Sequence, residues 1–167
     1  MAKRVRGSKK RPGQATDRRP ELIREPVHPG PMMFWKLNQR CNFVCSYCYF
    51  SEETLSREHP LVGRYSPRRI SRCFDDTRES WWIYISGGEP FLYPRFSELC
   101  GELTRNHFLT VNTNLSTSNA LEFAAEIDPA KVYSINASLH IIERQRRTGL
   151  EKFLEYARTF QKSGWSC

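Results

Sequence analysis

Four times along this chain a short apolar run is followed by a stretch with helical period, and that alternation constrains the fold more than any other feature. The runs are Met32-Met33-Phe34-Trp35-Lys36-Leu37, Trp81-Trp82-Ile83-Tyr84-Ile85, Phe108-Leu109-Thr110-Val111 and Val132-Tyr133-Ser134-Ile135-Asn136-Ala137. Each has the length and residue types of a strand buried on both faces. The first helical stretch opens at Ser66-Pro67, a cap followed by proline at the first helical position, and sets Ile70, Cys73 and Phe74 on one face. Phe96, Leu99, Cys100 and Leu103 make the apolar stripe of the second, and Ala120, Phe123, Ala124 and Ile127 that of the third. The fourth begins with the capping box Thr148-x-x-Glu151, carries Leu150, Phe153, Leu154, Ala157 and Phe160, and stops at Lys162-Ser163-Gly164. Four successive βα units imply an α/β fold with a parallel sheet and right-handed crossovers, either doubly wound or curled toward a barrel.

The chain's 167 residues, 39% of them hydrophobic, suffice for one core without a disulfide lattice. No apolar run approaches the ~18 residues that cross a bilayer, and no hydrophobic segment follows the basic N-terminus, so a cytosolic protein is expected. The net charge of +8 would suggest a nucleic-acid binder if it were spread over the fold. It is not: residues 1–25 hold nine Lys or Arg against three acids and so carry six of the eight charges. Residues 1–31 are therefore expected to form a basic, Pro-punctuated, disordered tail, and residues 32–167 the folded core. Specific RNA binding by the tail is the less favoured reading, and nucleic acid is not the expected partner.

Each apolar run ends in small or polar residues: Asn38 to Cys41, Ser86 to Glu89, Asn112 to Asn114, and Ser138 to His140. Because βα folds place chemistry where strands end and the following loops begin, these four ends should converge. The first of them leads into Cys41-x3-Cys45-x2-Cys48. Zinc in a structural site would want a fourth ligand, supplied by a second Cys or His pair that the sequence lacks. A disulfide framework needs an oxidising compartment that nothing here supports. Three thiolates suit three irons of a [4Fe-4S] cube with the fourth left open, whereas a pure electron carrier usually has four cysteine ligands. Cys73 and Cys100 fall on apolar helix faces and read as core residues.

With Tyr47 just before Cys48, and Gly87-Gly88-Glu89-Pro90 after the second strand, the sequence resembles the radical S-adenosylmethionine (radical SAM) superfamily from about Met32 to Cys167. Weaker matches are Thr113-Asn114 and Ser138-Leu139-His140 at the later strand ends. The resemblance implies a partial (β/α) barrel, of which about four βα units are present. It implies that Cys41, Cys45 and Cys48 hold a [4Fe-4S] cluster whose fourth iron takes the amino and carboxylate groups of S-adenosylmethionine. Gly87 and Gly88 would let backbone groups approach the methionyl end, Glu89 would accept hydrogen bonds from its ammonium, and Pro90 would stiffen the turn. Tyr47 would lie against the adenine, and Asn114 and Ser138 would bind the carboxylate or ribose. Phe43, Tyr47, Tyr49 and Phe50 would shield the cluster or serve as ordinary packing.

The activity so implied is reductive cleavage of S-adenosylmethionine to a 5′-deoxyadenosyl radical that takes a hydrogen atom from substrate. It requires a reductant such as flavodoxin or ferredoxin, and the substrate is a peptide or a cofactor precursor. Gly164-Trp165-Ser166-Cys167 would begin a fifth strand, so the core is expected to be the N-terminal part of a longer enzyme or a truncated copy of one. Competing readings are a non-catalytic remnant that binds a cluster or partner, an RNA-modifying member using the basic tail, and a zinc module.

Overall fold

A computed structural model of the protein describes residues 30–147 and 149–166. Its core is one four-stranded, all-parallel sheet in the order β1 (Met32–Lys36), β2 (Trp82–Ser86), β3 (Phe108–Thr113) and β4 (Val132–Ala137). Helices α1 (Glu52–Ser56) and α2 (Pro67–Asp75) lie between β1 and β2 in the chain, α3 (Phe96–Leu103) between β2 and β3, and α4 (Asn119–Glu126) between β3 and β4. Two helices, α5 (Ile141–Arg147) and α6 (Leu150–Lys162), follow β4. Sequential order across the sheet, without a reversal, is that of a barrel wall rather than of a doubly wound sheet. No helix among the described residues is long and apolar enough to cross a membrane.

The sheet's two faces differ, and the difference corrects the expectation of strands buried on both. Ile83, Ile85, Leu109, Val111 and Ile135 point to the helix side and are essentially inaccessible. On the other face β1 is open, with Phe34 71% exposed. There Phe34 lies opposite Tyr84, Tyr84 opposite Thr110, and Asn112 opposite Asn136. Four parallel strands close only part of a barrel, so the concave face meets solvent where a longer barrel would meet its own far wall.

The helices obey local rules. The Ser66 hydroxyl accepts the Arg69 N–H and Pro67 occupies the first turn of α2. All four stripe residues of α3 are buried. Two expected stripes are displaced. In α2 the buried residues are Pro67, Ser71 and Phe74, and Cys73 is exposed, because it sits one residue and ~100° off that line. In α6 Phe153, Tyr156, Ala157 and Phe160 face the core, while Leu150 and Leu154 are exposed. The N-cap of α6 is Gly149, with φ 75° and no side-chain capping bond; Thr148 of the expected box lies outside the described residues, as does the tail before Gly30. Gly164, at φ 83°, ends the helix as expected.

Aromatic rings fill the layer between sheet and helices. Phe123 contacts Phe91, Phe96, Phe160 and Trp165, with ring centroids 5.1–6.4 Å apart. Trp165 then carries the chain to the free edge of β4, where the Ser166 carbonyl accepts the Ile135 N–H at 2.9 Å. The residues after α6 thus reach the edge of β4 through this one backbone hydrogen bond. Trp165→Ala should cost about 3–5 kcal/mol and speed hydrogen exchange at the Ile135 amide; unchanged protection of that amide would show that Trp165 does not hold the edge.

Candidate functional site

Two loops at the strand ends pair as if their strands continued. The Leu37 N–H donates to the Ser86 carbonyl at 2.8 Å, Gly88 N–H to Asn38 O at 3.1 Å, and Glu89 N–H to Arg40 O at 2.8 Å. This contact explains both glycines. A Cβ on Gly87 would stand 2.4 Å from Asn38 Oδ1, and one on Gly88 would stand 2.3 Å from the carbonyl oxygens of both Gln39 and Arg40. Their first duty is therefore to let the backbone leading into the cysteine loop pass at hydrogen-bonding distance, not to clear space for a ligand alone. The Asn38 amide completes the joint by donating to Glu89 O at 2.9 Å.

Glu89 is engaged by the protein itself. It is wholly buried and does not line the cavity described below. Its Oε1 accepts the Thr113 hydroxyl at 2.7 Å and the Phe91 N–H at 3.2 Å, and its Oε2 accepts the Asn114 N–H at 2.7 Å. The carboxylate thus rivets the β2 loop to the end of β3. Burial pushes this carboxyl from its ordinary 4.5 up to about 7, against the pull of the three hydrogen bonds and of Arg144. Pro90, also buried, opens a short 3-10 turn that Glu89 caps.

Around this rigid joint lies a cavity of about 360 Å³ into which all four strand ends lead. It is lined by Cys41, Cys45 and Cys48 after β1, Gly87 and Gly88 after β2, Asn112 to Asn114 at the end of β3, and Ser138 and His140 after β4. Tyr47 borders it, two-thirds exposed and stacked on His140 with centroids 5.8 Å apart. Its hydroxyl hydrogen-bonds to His140 Nδ1, and Cys45 Sγ is 3.5 Å from the same nitrogen. His140 and Leu115 are held at positive φ, 47° and 51°, costing about 1 kcal/mol or more each just past β4 and β3.

Asn114 lines the cavity, yet its polar atoms are engaged by protein. Its Nδ2 donates to Asn42 Oδ1 at 2.9 Å and approaches Cys41 Sγ at 3.8 Å, while Oδ1 accepts the Ser116 N–H at 3.1 Å. It ties the cysteine loop to β3, a more internal role than a ligand contact. A second tie comes from α5: Glu143 Oε2 accepts the Val44 N–H at 3.2 Å and Arg147 Nε at 2.9 Å. Burial opposes the Glu143 charge, but Val44 and the two arginines outweigh it and hold the carboxyl below its ordinary range. The sequence reading missed Glu143; the Glu143-x-x-x-Arg147 pair at helical spacing was the available signal.

Among the described residues no three His, Cys, Asp or Glu side chains converge where a single metal ion would sit. The three cysteine sulfurs instead border one cavity, a spread that suits a multi-atom cluster whose irons take one thiolate each better than mononuclear zinc. Burial raises the Cys41 thiol to about 11 and also raises Cys45, so in the ligand-free protein both are protonated at neutral pH and would release protons on binding metal.

Fold and cavity together define a partial (β/α) barrel built around a three-cysteine loop. The radical SAM superfamily model matches residues 35–167, and the chain belongs to that superfamily, whose members bind a [4Fe-4S] cluster and S-adenosylmethionine. It is 35% identical over 96 residues to a 7-carboxy-7-deazaguanine synthase of Methanothermobacter thermautotrophicus, covering 55% of this chain and 37% of that protein. It is 28% identical over 128 residues to the mycofactocin maturase MftC of Mycobacterium ulcerans, covering 72% of this chain and 32% of the relative. The fold is similar to that of anSMEcpe with bound AdoMet, at a TM-score of 0.60 and 15% identity over 81% of this chain and 40% of that one. A further structure of anSMEcpe with AdoMet and the Cp18Cys peptide gives a TM-score of 0.57, with 18% identity, 83% of this chain and 42% of that one. The chain thus spans about two-fifths or less of the length of these proteins.

The joint predicts a contrast between two glycines. Gly88→Ala should destabilise the protein by several kcal/mol, whereas Gly101→Ala in α3, whose Cβ would meet only Ile127 Cδ1 at 3.7 Å, should be neutral or stabilising by up to ~1 kcal/mol. Urea denaturation of both variants checks this. Glu89 predicts a pH signature of defined sign. Its folded pKa exceeds the unfolded one, so the native state binds the extra proton and stability falls as pH rises from about 4.5 to about 7. The stability difference between wild type and Glu89→Gln should shift against wild type across that window, and a flat difference would refute the assignment.

Proposed function

We propose that the protein is a radical SAM enzyme core in which Cys41, Cys45 and Cys48 hold a [4Fe-4S] cluster and the adjoining cavity receives S-adenosylmethionine. The observation that carries this reading is the meeting of those three thiols with the ends of all four strands in one cavity. The bound groups supply reductive cleavage of a carbon–sulfur bond and the radical that abstracts hydrogen from substrate. The chain's own residues bind and orient. Gly87 and Gly88 present backbone at the cavity floor, Ser138 borders it from β4, and Tyr47 with His140 forms an aromatic wall for the adenine. Glu89, Asn114 and Glu143 position the loops from behind.

A peptide or another amide-bearing substrate is the favoured class. On the open face next to the cavity, Asn136 Nδ2 donates to Tyr84 Oη at 2.9 Å and Asn112 Oδ1 at 3.0 Å, and Tyr84 Oη donates to Asn112 at 3.0 Å. Beside this neutral ladder Phe34 and Tyr84 lie 5.0 Å apart. Uncharged hydrogen-bonding groups between aromatic faces match amides and planar heterocycles better than anions. The similarity to a deazaguanine synthase supports a heterocyclic cofactor precursor as the second reading.

Anaerobic reconstitution with iron and sulfide should give a brown protein whose electron paramagnetic resonance spectrum, once reduced, changes on adding S-adenosylmethionine. Cys45→Ala should lose that spectrum. Cys100→Ala should keep it and lower stability by about 1 kcal/mol or somewhat more, since Cys100 is fully buried in α3. A colourless wild type, or equal loss from both substitutions, would overturn the proposal.

A further inference from the structure

Helix α5 presents a surface that the cavity does not need. Its sequence, Ile141-Ile142-Glu143-Arg144-Gln145-Arg146-Arg147, sets three arginines against one glutamate. Glu143 and Arg144 are turned inward. Outward, Ile141 is 57% and Ile142 52% exposed, and the Arg146 side chain is 70% exposed. Two exposed isoleucines beside Arg146 and Arg147, which share the one buried carboxylate of Glu143, make an apolar centre with a net basic rim, the anatomy of a binding surface.

The position of this patch is informative. Ile142 and Arg146 line a cleft of about 80 Å³ with Cys45, Ser46 and Tyr47. The Glu143–Val44 hydrogen bond fixes that relation, so α5 and the sulfur of Cys45 form one rigid neighbourhood. On the far side of the sheet α2, α3, α4 and α6 cover the approach. The open concave face borders the ligand cavity. The α5 surface is thus a route to the cysteine loop that does not cross the helix layer and meets the ligand cavity only at Cys45 and Tyr47, which line both.

We propose that this α5 patch docks an acidic one-electron carrier protein, bearing a flavin or iron–sulfur centre, that reduces the cluster held by Cys41, Cys45 and Cys48. The proposal rests on the cluster reading above. Electron tunnelling decays steeply with distance, so a donor must come to rest close to the thiolates. A basic rim steers an acidic carrier toward that spot and fixes its orientation, while the isoleucines supply the apolar contact. In the transfer the carrier is oxidised by one electron and the cluster reduced by one; no bond breaks and no proton needs to move.

The test compares reduced flavodoxin with dithionite, a small reductant that needs no docking surface. Wild type, Gln145→Glu and Ile141→Glu, all full-length and reconstituted, are mixed with each reductant in a stopped-flow instrument, and loss of the cluster's visible absorption is followed. Dithionite should reduce all three at the same rate. Flavodoxin should reduce wild type saturably, more slowly as salt is raised, and ~10-fold more slowly in Gln145→Glu, where a carboxylate enters the exposed basic rim, within the range by which surface fields alter association; Ile141→Glu should also be slowed. Both substitutions leave the Arg146–Glu143, Arg147–Glu143 and Glu143–Val44 bonds in place. Should either variant misfold by near-ultraviolet circular dichroism, the salt dependence of wild type decides, and a flat response overturns the proposal. Equal flavodoxin rates in the three proteins also overturn it, as does a change of oligomeric state in Ile141→Glu with its flavodoxin rate unaltered, which would mark a self-association face. Loss of the cluster reading itself is distinguishable, because wild type would then lack the absorption before any reductant is added.

Discussion

The joint between residues 38–40 and 87–89 is the contact on which the site depends. Its two backbone hydrogen bonds are each worth only about 1 kcal/mol net, but they extend the β1–β2 pairing past the sheet and so fix where the cysteine loop departs. The loop that follows is short of regular structure until α1, and its first half holds its shape by three attachments. Its root is clamped by Gly88 and Glu89, Asn42 is tied to Asn114 and Ser116, and Val44 is tied to Glu143. Each tie comes from a different βα unit. Preorganisation of the three sulfurs is thus a property of the whole sheet and not of the eight-residue segment that contains them.

Burying a carboxyl at the centre of such a joint opposes stability, and its placement shows what the cost secures. Glu89 gathers three donors from two chain segments, which no apolar side chain could do. Removing it would strand those donors in the interior, each at about 1–3 kcal/mol. The same burial lifts its pKa, so the joint that fixes the β2 and β3 loops is coupled to the protonation of this one group. Glu143 solves a similar problem at the periphery by the opposite means, with two arginines keeping it charged.

Much of this was legible before any coordinates. Strand and helix alternation, the four convergent polar ends, the cysteine spacing and the Gly87–Pro90 loop are local patterns, and sequence records local patterns directly. Roles set by long-range partners were not legible. Glu89 reads as a loop acid for a ligand's ammonium until Thr113 and Asn114, more than twenty residues away, are seen to donate to it. The glycines read as ligand clearance until the Asn38–Arg40 backbone is seen against them. Helices α1 and α5 were missed because five to seven residues carry too few turns for a periodic signal. Leu150 and Leu154 were placed in the core by helical spacing, whereas α6 turns Tyr156 inward and docks Phe160 on Phe123 and Trp165, a rotation that long-range packing and not the local pattern decides.

The two faces of the sheet, finally, are built from different chemistry. The helix-side layer is dry and aromatic and resists deformation, because displacing any ring in the Phe91–Phe96–Phe123–Phe160 group leaves a cavity. The other face mixes a hydrogen-bonded Tyr84–Asn112–Asn136 ladder with ring contacts between Phe34 and Tyr84, Trp82 and Tyr133, and Phe108 and Tyr133. Dry aromatic packing thus lies on one side of the strands and an open polar and aromatic surface on the other, with the strand ends as the line where the two meet. Under the proposed function, that division would leave the open face of β2, β3 and β4 to meet substrate while the loop after β1 would hold the cluster.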